Sequence, residues 1–327
     1  MTGRLRRGLS WLIRGRSQSA SHLMLAPAAF WLLGLLVLPV ASLLILSVTS
    51  RGAYGACAWV FTWDNFRRAL DVKYLPVMAR TVTYAGTTTL LCLLLGYPLA
   101  YFLSFQAGPR RDLFLVLLMI PFWTSWLVAI YSWIIILGRE GLLNGLLRSL
   151  GIVSSPISLL GTPFSVILGL VYFYLPFMVL PVYASLEKMP RAYIEAAQDL
   201  GAGKIEAFLK VTLPLSLPGV LAGAILTFIP CMGDFLCADF LGSPRTYLVG
   251  NLIQNQFLMA QDWQFGSALT SLLILFLITG LYAQHKLEAR TPAAEPPLPY
   301  MGRRLRSARG GARGFSRRLR RRTASIT

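Results

Sequence analysis

The stretch FSVILGLVYFYLPFMVLPVYASL, residues Phe164–Leu186, decides the class of fold, because it contains no Asp, Glu, Lys or Arg. A helix needs about 20 apolar residues to cross a bilayer, at a rise of about 1.5 Å per residue. Five further stretches share this length and lack of charge: Leu25–Val48, Thr81–Phe105, Leu113–Leu137, Val211–Gly233 and Phe265–Ala283. The sequence therefore predicts an all-α, polytopic membrane protein with six transmembrane helices.

The composition agrees with this prediction. Of the 327 residues, 55% are hydrophobic and only 13% are charged, and the mean hydropathy is +0.60. Soluble domains carry roughly 25% charged residues, so a chain this apolar needs lipid around it. The first apolar stretch is too long for the core of a cleaved signal peptide, and we expect it to be retained as a helix.

The distribution of Lys and Arg predicts the orientation in the membrane, because cytoplasmic loops are enriched in both. One side of a six-span topology carries the basic termini and two short basic loops, with Arg4, Arg6, Arg7, Arg14, Arg16, Arg110, Arg111, Lys188, Arg191, Lys204 and Lys210. The basic residues of the other side are spread over longer loops. We therefore expect both termini to be cytoplasmic.

Several classes of protein fit the sequence poorly. The pair Gly203-Lys204 resembles a phosphate-binding loop, but Gln198 stands where that motif needs glycine and Ile205 where it needs Ser or Thr. The predicted spans lack the ionisable residues that ion-coupled transporters bury, and such a transporter is the weaker alternative. The cysteines and histidines show no metal-ligand or catalytic spacing: Cys57, Cys92, Cys231, Cys237, His22 and His285.

The cytoplasmic segment between the fourth and fifth spans reads EAAQDLGAGKIEAFLKVTLPLSLPG, from Glu195 to Gly219. It predicts a short helix with small residues on one side, Ala196 and Ala197, that let another surface approach closely. Glu195 and Asp199 lie one turn apart and can offer carboxylates to a basic partner. Gly201 is placed to end this helix in the left-handed conformation that glycine tolerates.

A second amphipathic helix is predicted directly after this glycine. Its apolar side holds Ile205, Phe208, Leu209 and Val211. We expect Leu213-Pro214 to end it and to start the fifth span, because proline lacks the N–H that a continuing helix needs.

At these residues the chain resembles the permease subunits of binding-protein-dependent ABC importers. Their signature is Glu-Ala-Ala, three residues, Gly, nine residues, Ile, one residue and Leu-Pro. The matching positions here are Glu195, Ala196, Ala197, Gly201, Leu213 and Pro214, with Val211 in place of the isoleucine. The resemblance implies a type I importer permease fold in a bacterial inner membrane, in which this loop is a coupling helix seated in a cleft of a cytoplasmic ATPase.

The resemblance also implies the partner subunits and which of them binds ATP. They are two copies of the ATPase, a second similar permease subunit, a solute-binding protein and membrane lipid, with no nucleic acid. ATP and Mg²⁺ belong to the ATPase, and this subunit is expected to bind no cofactor or metal and to catalyse no reaction.

The segments are a basic N-terminus (1–22), a first span (23–50), an outer loop (51–76), a five-helix permease core (77–286, with its coupling loop at 187–216) and a basic tail predicted to be disordered (287–327).

A finer resemblance covers roughly residues 80–286 and points to spermidine/putrescine-type permeases. It rests on Pro121–Asn144, Gly233–Gly242 and Gly250–Leu269. The chain departs from that group at Ala129 and Ile130, where Arg-Thr is frequent, and at Cys237 and Ala238, where Thr-Pro is common. The implied substrate is a polyamine or similar organic cation. The alternative is another small solute, such as an amino acid, an opine or a phosphonate.

Candidate pathway residues follow from the chemistry of such a cation, which would need carboxylates and aromatic faces. Asp234 and Asp239 are taken as the only carboxylates this close to a span, and buried acidic groups in membranes are often functional. The aromatic candidates are Trp123, Trp126, Tyr131 and Tyr172. The alternative is that Asp234 caps a helix and that the aromatic rings serve packing or the membrane boundary.

The last segment carries arginines at 303, 304, 306, 309, 313, 317, 318, 320, 321 and 322, which account for much of the net charge of +18. We expect this tail to lie beside an anionic leaflet, where each charge contributes about 1 kcal/mol.

Overall fold

The computed structural model describes Pro27, residues 30–52 and residues 57–288. The predicted N-terminal segment 1–22 and nearly all of the predicted tail lie outside the described residues. The chain divides into two compact units, Met1–Leu281 and Tyr282–Thr327, and every contact discussed below lies within the first. The helices are α1 (Phe30–Ser47), α2 (Asp64–Ala69), α3 (Leu75–Phe105), α4 (Arg111–Trp123), α5 (Trp126–Leu137), α6 (Leu142–Ser149), α7 (Pro163–Glu187), α8 (Ala192–Asp199), α9 (Lys204–Ala207), α10 (Leu213–Gly233), α11 (Leu236–Leu241), α12 (Val249–Leu258) and α13 (Trp263–Glu288).

Six helical segments of the described chain are long and apolar enough to cross a membrane, which confirms the predicted number of spans. They are Phe30–Ser47, Val72–Phe105, Trp126–Ser149, Pro163–Glu187, Lys204–Gly233 and Trp263–Tyr282.

The third apolar stretch, predicted as one helix over Leu113–Leu137, is broken, and that part of the prediction is wrong. Thr124 and Ser125 are extended (φ −88°, ψ 145° and φ −60°, ψ 133°) and separate α4 from α5. Pro121 lies in the last turn of α4, and the Thr124 hydroxyl donates to its carbonyl oxygen at 3.0 Å. Proline weakens the helical ladder, and the hydroxyl satisfies a carbonyl that the broken helix leaves free.

α4 and α5 both pack against α7. The ring centroids of Phe122 in α4 and Phe177 in α7 lie 4.9 Å apart, and those of Trp126 in α5 and Phe173 in α7 lie 4.6 Å apart. A helix the length of α5 rises only about 18 Å, less than the roughly 30 Å of hydrocarbon core. The candidate span therefore continues from α5 through α6, over Trp126–Ser149, and α4 precedes it on the other side of the extended break.

The core is formed by α3, α7 and α10, whose facing residues are small or fully buried. α10 lies very close to α7 at Gly219, where a Cβ would be only 2.6 Å from the carbonyl oxygen of Pro181 in α7. Met178 of α7 and Cys92 of α3 are both fully buried in the same core. Glycine thus lets α10 approach the α7 backbone closely enough to exclude cavities, which native interiors largely lack.

The segment predicted as an outer loop contains regular structure that the sequence analysis did not predict. Strands β1 (Thr49–Arg51) and β2 (Cys57–Phe61) form an antiparallel two-stranded sheet, with Ser50 opposite Ala58, and α2 follows. The all-α class is confirmed apart from this small sheet.

Candidate coupling loop and membrane pathway

The acidic helix predicted before Gly201 is present as α8, Ala192–Asp199. Gly201 has φ +92°, the left-handed conformation predicted for it. Its N–H donates to the Gln198 carbonyl at 2.9 Å, and the Ala202 N–H donates to the Ala197 carbonyl at 3.0 Å. This pair of bonds is a Schellman motif, which satisfies the last carbonyls of the helix and turns the chain sharply.

The surface of α8 is open to solvent. Glu195, Ala196 and Asp199 are exposed, and Leu200 at the helix end is 90% exposed. Within the described part of the chain, neither Glu195 nor Asp199 takes part in an ion pair. The helix therefore presents two free carboxylates, two small side chains and one large apolar side chain together.

The second predicted helix does not stop at Leu213-Pro214, and that prediction is wrong. α9 continues through a π-helical turn, Phe208–Thr212, directly into α10. Pro214 lies in the first turn of α10, where its missing N–H costs little. The wider π turn just before it accommodates the proline ring without breaking the helix.

The residues predicted on the apolar side of this second helix are partly packed against the core and partly exposed. Phe208 packs on Tyr97 and Tyr101 of α3 at centroid distances of 5.6 and 6.0 Å, and Val211 is half-buried. Leu213 is also half-buried, whereas Ile205 is 76% exposed and Leu209 is 54% exposed. Two residues therefore attach the loop to the core while two others remain available to a partner.

Arg191, at the start of α8, joins the loop to the end of α3. Its guanidinium donates to the Phe105 carbonyl at 2.8 Å and lies 5.8 Å from the centroid of the Phe105 ring. The last carbonyls of a helix lack intrahelical partners and carry partial negative charge, so a cation there is favourable. A groove of about 290 Å³, lined in part by Leu200, Gly201 and Glu206, separates α8 from α9.

Asp234 lies in the break between α10 and α11 and is buried, with only 6% exposed. Its carboxylate accepts from the Cys237 N–H at 2.9 Å and from the Tyr174 hydroxyl at 3.2 Å. Asp234 was predicted as a candidate pathway residue, and in this structure its carboxylate is enclosed by Cys237 and Tyr174. The carboxylate caps the first turn of α11, as the alternative in the sequence analysis proposed.

Asp239 is exposed on α11, and its carboxylate accepts from the Asn251 side-chain amide. The same amide donates to the Phe235 carbonyl at 2.8 Å, and the Tyr247 hydroxyl donates to the Asn251 carbonyl at 2.9 Å. Burial raises the pKa of Tyr247, which keeps this phenol protonated as a donor. Asp239 thus belongs to a polar network that joins α11 to α12.

The aromatic candidates do not form one cluster. Trp126 packs against Phe173 and lies 6.1 Å from Tyr174, which brings it beside the Asp234 site. Tyr131 contacts Phe240 at 5.7 Å. Two candidates lie elsewhere: Tyr172, against Trp133 at 5.5 Å, and Trp123, which is 77% exposed.

Both helix breaks therefore meet at one place. The α4–α5 break is followed at once by Trp126, and the α10–α11 break is occupied by Asp234, with Tyr174 of α7 in contact with both. Irregular backbone inside a membrane protein is tolerated where it is buried or lines a cavity. Of the candidate pathway residues, this junction brings together Trp126 and Asp234, both in contact with Tyr174.

Asp262 was not predicted as a site residue, and Asp234 and Asp239 are therefore not the only carboxylates near a span. Asp262 is 2% exposed just before α13, and its carboxylate accepts from the Phe265 N–H at 3.1 Å. Both terminal nitrogens of Arg68 lie 3.1 Å from Oδ2 of Asp262, and an Arg51 nitrogen lies 3.6 Å from it. An Asp immediately before an apolar helical stretch is a helix-start signal that could have revealed it. Among the residues that the structure describes, no cluster of His, Cys, Asp or Glu could hold a metal ion.

The described chain thus has six helical segments apolar enough to span a membrane, a core of α3, α7 and α10, and the short exposed acidic helix α8. Residues 92–291 match the family described as "Binding-protein-dependent transport system inner membrane component", and the chain belongs to that family. It is therefore a multi-pass inner-membrane component, as the resemblance in the coupling loop implied.

Two relatives are similar over most of their length. The spermidine/putrescine transport system permease protein PotB of Escherichia coli (strain K12) is 41% identical over 258 residues, which is 79% of this chain and 93% of that protein. PotB of Haemophilus influenzae is 40% identical over 260 residues, 79% of this chain and 91% of that protein. The relatives are transport permease subunits rather than enzymes.

Solved structures with the same fold are more distant in sequence. A bacterial alginate ABC transporter, in complex with an alginate pentasaccharide-bound periplasmic protein, has a chain with a TM-score of 0.69 at 17% identity, covering 85% of this chain and 96% of that one. An inward-facing MetNI methionine ABC transporter chain has a TM-score of 0.51 at 17% identity, covering 68% and 99%. At this identity the likeness shows the fold of an ABC importer permease.

Proposed function

We propose that this chain forms half of the translocation pathway of an ATP-driven importer for a polyamine such as spermidine or putrescine. The naming of the 41%-identical relative supports the substrate class. The observation that carries the importer mechanism is α8, an exposed helix with free carboxylates that ends at a left-handed glycine. The partners are two copies of a cytoplasmic ATPase, a second permease subunit and a solute-binding protein.

In this proposal α8 is the coupling helix. A cleft of the ATPase holds Ala196 and Leu200, and its basic or N–H groups bind Glu195 and Asp199. ATP and Mg²⁺ are bound by the ATPase, which supplies the free energy. Both termini of the permease lie in the cytoplasm, the side where this loop meets the ATPase.

Two connections carry the movement of α8 into the membrane. One is the continuous path through α9 and the π turn into α10, and the other is the contact of Arg191 with the Phe105 carbonyl of α3. Since α10 ends at the break that holds Asp234, its displacement reaches the pathway junction directly.

The substrate step follows from the junction. A polyamine cation is stabilised by a carboxylate and by aromatic faces. In this structure Asp234 is covered and paired with Tyr174, so we propose that opening at the two helix breaks exposes it only during transport. Because the solute-binding protein supplies most of the affinity, a transiently exposed carboxylate holds the cation weakly and releases it to the cytoplasm.

The test is reconstitution of the complete transporter in vesicles, with ATP hydrolysis and uptake of radiolabelled spermidine measured together. We expect spermidine uptake that requires ATP, the binding protein and this chain. Uptake of an amino acid or a phosphonate in place of spermidine would keep the importer and refute the polyamine. Uptake driven by an ion gradient without ATP would refute the importer itself.

A further inference from the structure

The outer hairpin exposes large apolar side chains on both of its faces. Trp59, Val60 and Phe61 are consecutive in β2 and are 79%, 62% and 66% exposed. Successive strand residues point to opposite faces, so neither face of this ribbon is polar. An isolated two-stranded hairpin is marginally stable at best in water, so this ribbon depends on the surroundings that cover it.

Large exposed apolar side chains continue along the chain after β2. Trp63 is 57% exposed and forms an edge-to-face pair with Phe61 at 5.4 Å. Leu70 and Val72, between α2 and α3, are 67% and 75% exposed. We call Trp59, Val60, Phe61, Trp63, Leu70 and Val72 the outer apolar surface.

Hydrogen bonds hold this surface at the outer end of α1. The Thr62 N–H donates to the Val48 carbonyl at 2.8 Å. The buried Asn65 side chain donates to the Ser47 carbonyl at 3.0 Å and to the Thr49 carbonyl at 2.8 Å. α1 is an apolar span with only 6% of its residues buried in the molecule. The hairpin is therefore fixed where a membrane helix leaves the bilayer.

A second set of contacts keeps the surface from moving away from the core. Arg68 of α2 pairs with the buried Asp262 and lies 4.2 Å from the centroid of the Phe265 ring in α13. Arg51 of β1 donates to the Ala260 carbonyl at 3.0 Å. The hairpin and α2 are thus held between the end of one span and the start of another.

We propose that the outer apolar surface is a membrane-interface anchor whose partner is the headgroup region of the outer leaflet. Trp side chains favour this region, where an apolar ring and a polar N–H are both accommodated. Two exposed cations lie on the same segment, Arg67 and Lys73, each beside an exposed carboxylate of its own segment, at 4.0 Å from Asp64 and 3.1 Å from Asp71. Lipid can surround both faces of the ribbon, whereas a docked protein would cover only one.

The anchor has a consequence for α1. Since α1 packs so little against the other helices, the lipid-embedded hairpin and its bonds to Ser47 and Thr49 hold the end of that span in position.

Site-directed spin labelling in vesicles of phosphatidylethanolamine and phosphatidylglycerol tests this proposal. The full chain carries Trp59→Cys, together with Cys57→Ser to remove the neighbouring thiol, while Cys92, Cys231 and Cys237 are buried. Collisions of the label with oxygen, which concentrates in lipid, are compared with collisions with a water-soluble nickel chelate. Ser155→Cys, at an exposed position of another outer loop, is the matched control.

We expect the oxygen-to-nickel collision ratio to be several-fold higher at position 59 than at position 155. Val60→Cys, on the opposite face of the ribbon, should give the same high ratio and replaces position 59 if that variant folds poorly. Equal ratios at 59, 60 and 155 would show that the surface lies in water. If collisions with both reagents are lost on adding the solute-binding protein or the second permease, the surface is a protein interface. Either result overturns the proposal.

Discussion

The acidic side chains of α8 and those at the starts of α11 and α13 occupy opposite environments. Glu195 and Asp199 project from α8 into solvent, without an ion pair in the described structure. Asp234 and Asp262 are buried, and each accepts a backbone N–H at the start of a helix. An unpaired exposed carboxylate costs little and remains available to a partner, whereas a buried one must be satisfied within the chain.

This difference predicts that the two groups of acidic residues affect different properties of the subunit. Changes in the cytoplasmic loop should alter coupling to a partner without altering the stability of the subunit. Changes at the buried acids should first alter the local fold, and an effect on transport must be demonstrated beyond that. The three variants below test this separation, from the largest expected effect to the smallest.

Gly201→Asp should have the largest effect. An L-residue in the left-handed region costs about 1–2 kcal/mol, and relief of that strain would redirect the chain after α8. Since 1.4 kcal/mol is a factor of about ten in binding, we expect assembly with the ATPase and ATP-driven uptake to fall by at least about tenfold. Uptake in vesicles and co-purification of the ATPase measure the two effects.

Gly203→Asp is the matched control for this variant. It introduces the same side chain and charge two residues later, where Gly203 has φ −66° and is the N-cap of α9. Aspartate is a favoured N-cap residue, so this variant should assemble normally. If both variants lose uptake equally, the charge and not the Gly201 backbone is responsible. Normal uptake by Gly201→Asp would contradict the coupling role of the loop.

Asp262→Ala should lower the stability of the subunit by about 2 kcal/mol. It removes a helix cap worth about 1 kcal/mol and a carboxylate paired with Arg68, whose half-exposed side chain limits the value of the pair. Thermal unfolding in detergent should show a lower midpoint. Asp64→Ala, an exposed carboxylate on α2, should leave the midpoint unchanged. An unchanged midpoint in Asp262→Ala would mean that the contact between α2 and α13 is not a stabilising one.

The loop that contains α8 and α9 could be predicted from the sequence in more detail than the apolar helices. Its helix, its break and the left-handed glycine follow from local propensities that act within a few residues of Gly201. The π turn before Pro214 was not predicted. A helix can accommodate a proline by widening a turn instead of ending, and here the widened turn depends on the packing of Phe208 against α3.

The end of α10 at Gly233 agrees with the end of the fifth apolar stretch. The α4–α5 break could not be predicted from hydropathy, because residues 113–137 are apolar on both sides of Thr124. The arrangement of α4 and α5 along α7 is set by pairs such as Trp126 with Phe173, which are distant in sequence. Asp234 could be singled out from the sequence as a carboxylate beside a span, but its burial depends on Tyr174 and α11, which no local pattern reveals. Asp262 was missed although its position before α13 carried a recognisable capping signal.

Asp234→Asn should have the smallest effect on structure and gives the sharpest test of the pathway. The amide oxygen can still accept from the Cys237 N–H, and the amide NH₂ can donate to the Tyr174 oxygen after that hydroxyl rotates. We therefore expect the free energy of unfolding to change by less than about 1 kcal/mol. If the carboxylate meets the cation during transport, the maximal rate of spermidine uptake should fall several-fold, while ATPase assembly and binding-protein affinity stay normal.

Tyr174→Phe removes one hydrogen bond but keeps the charge, and should lower the rate less. Unchanged uptake in Asp234→Asn would leave this residue as the cap of α11 alone, and the cation would then have to be recognised elsewhere along the pathway.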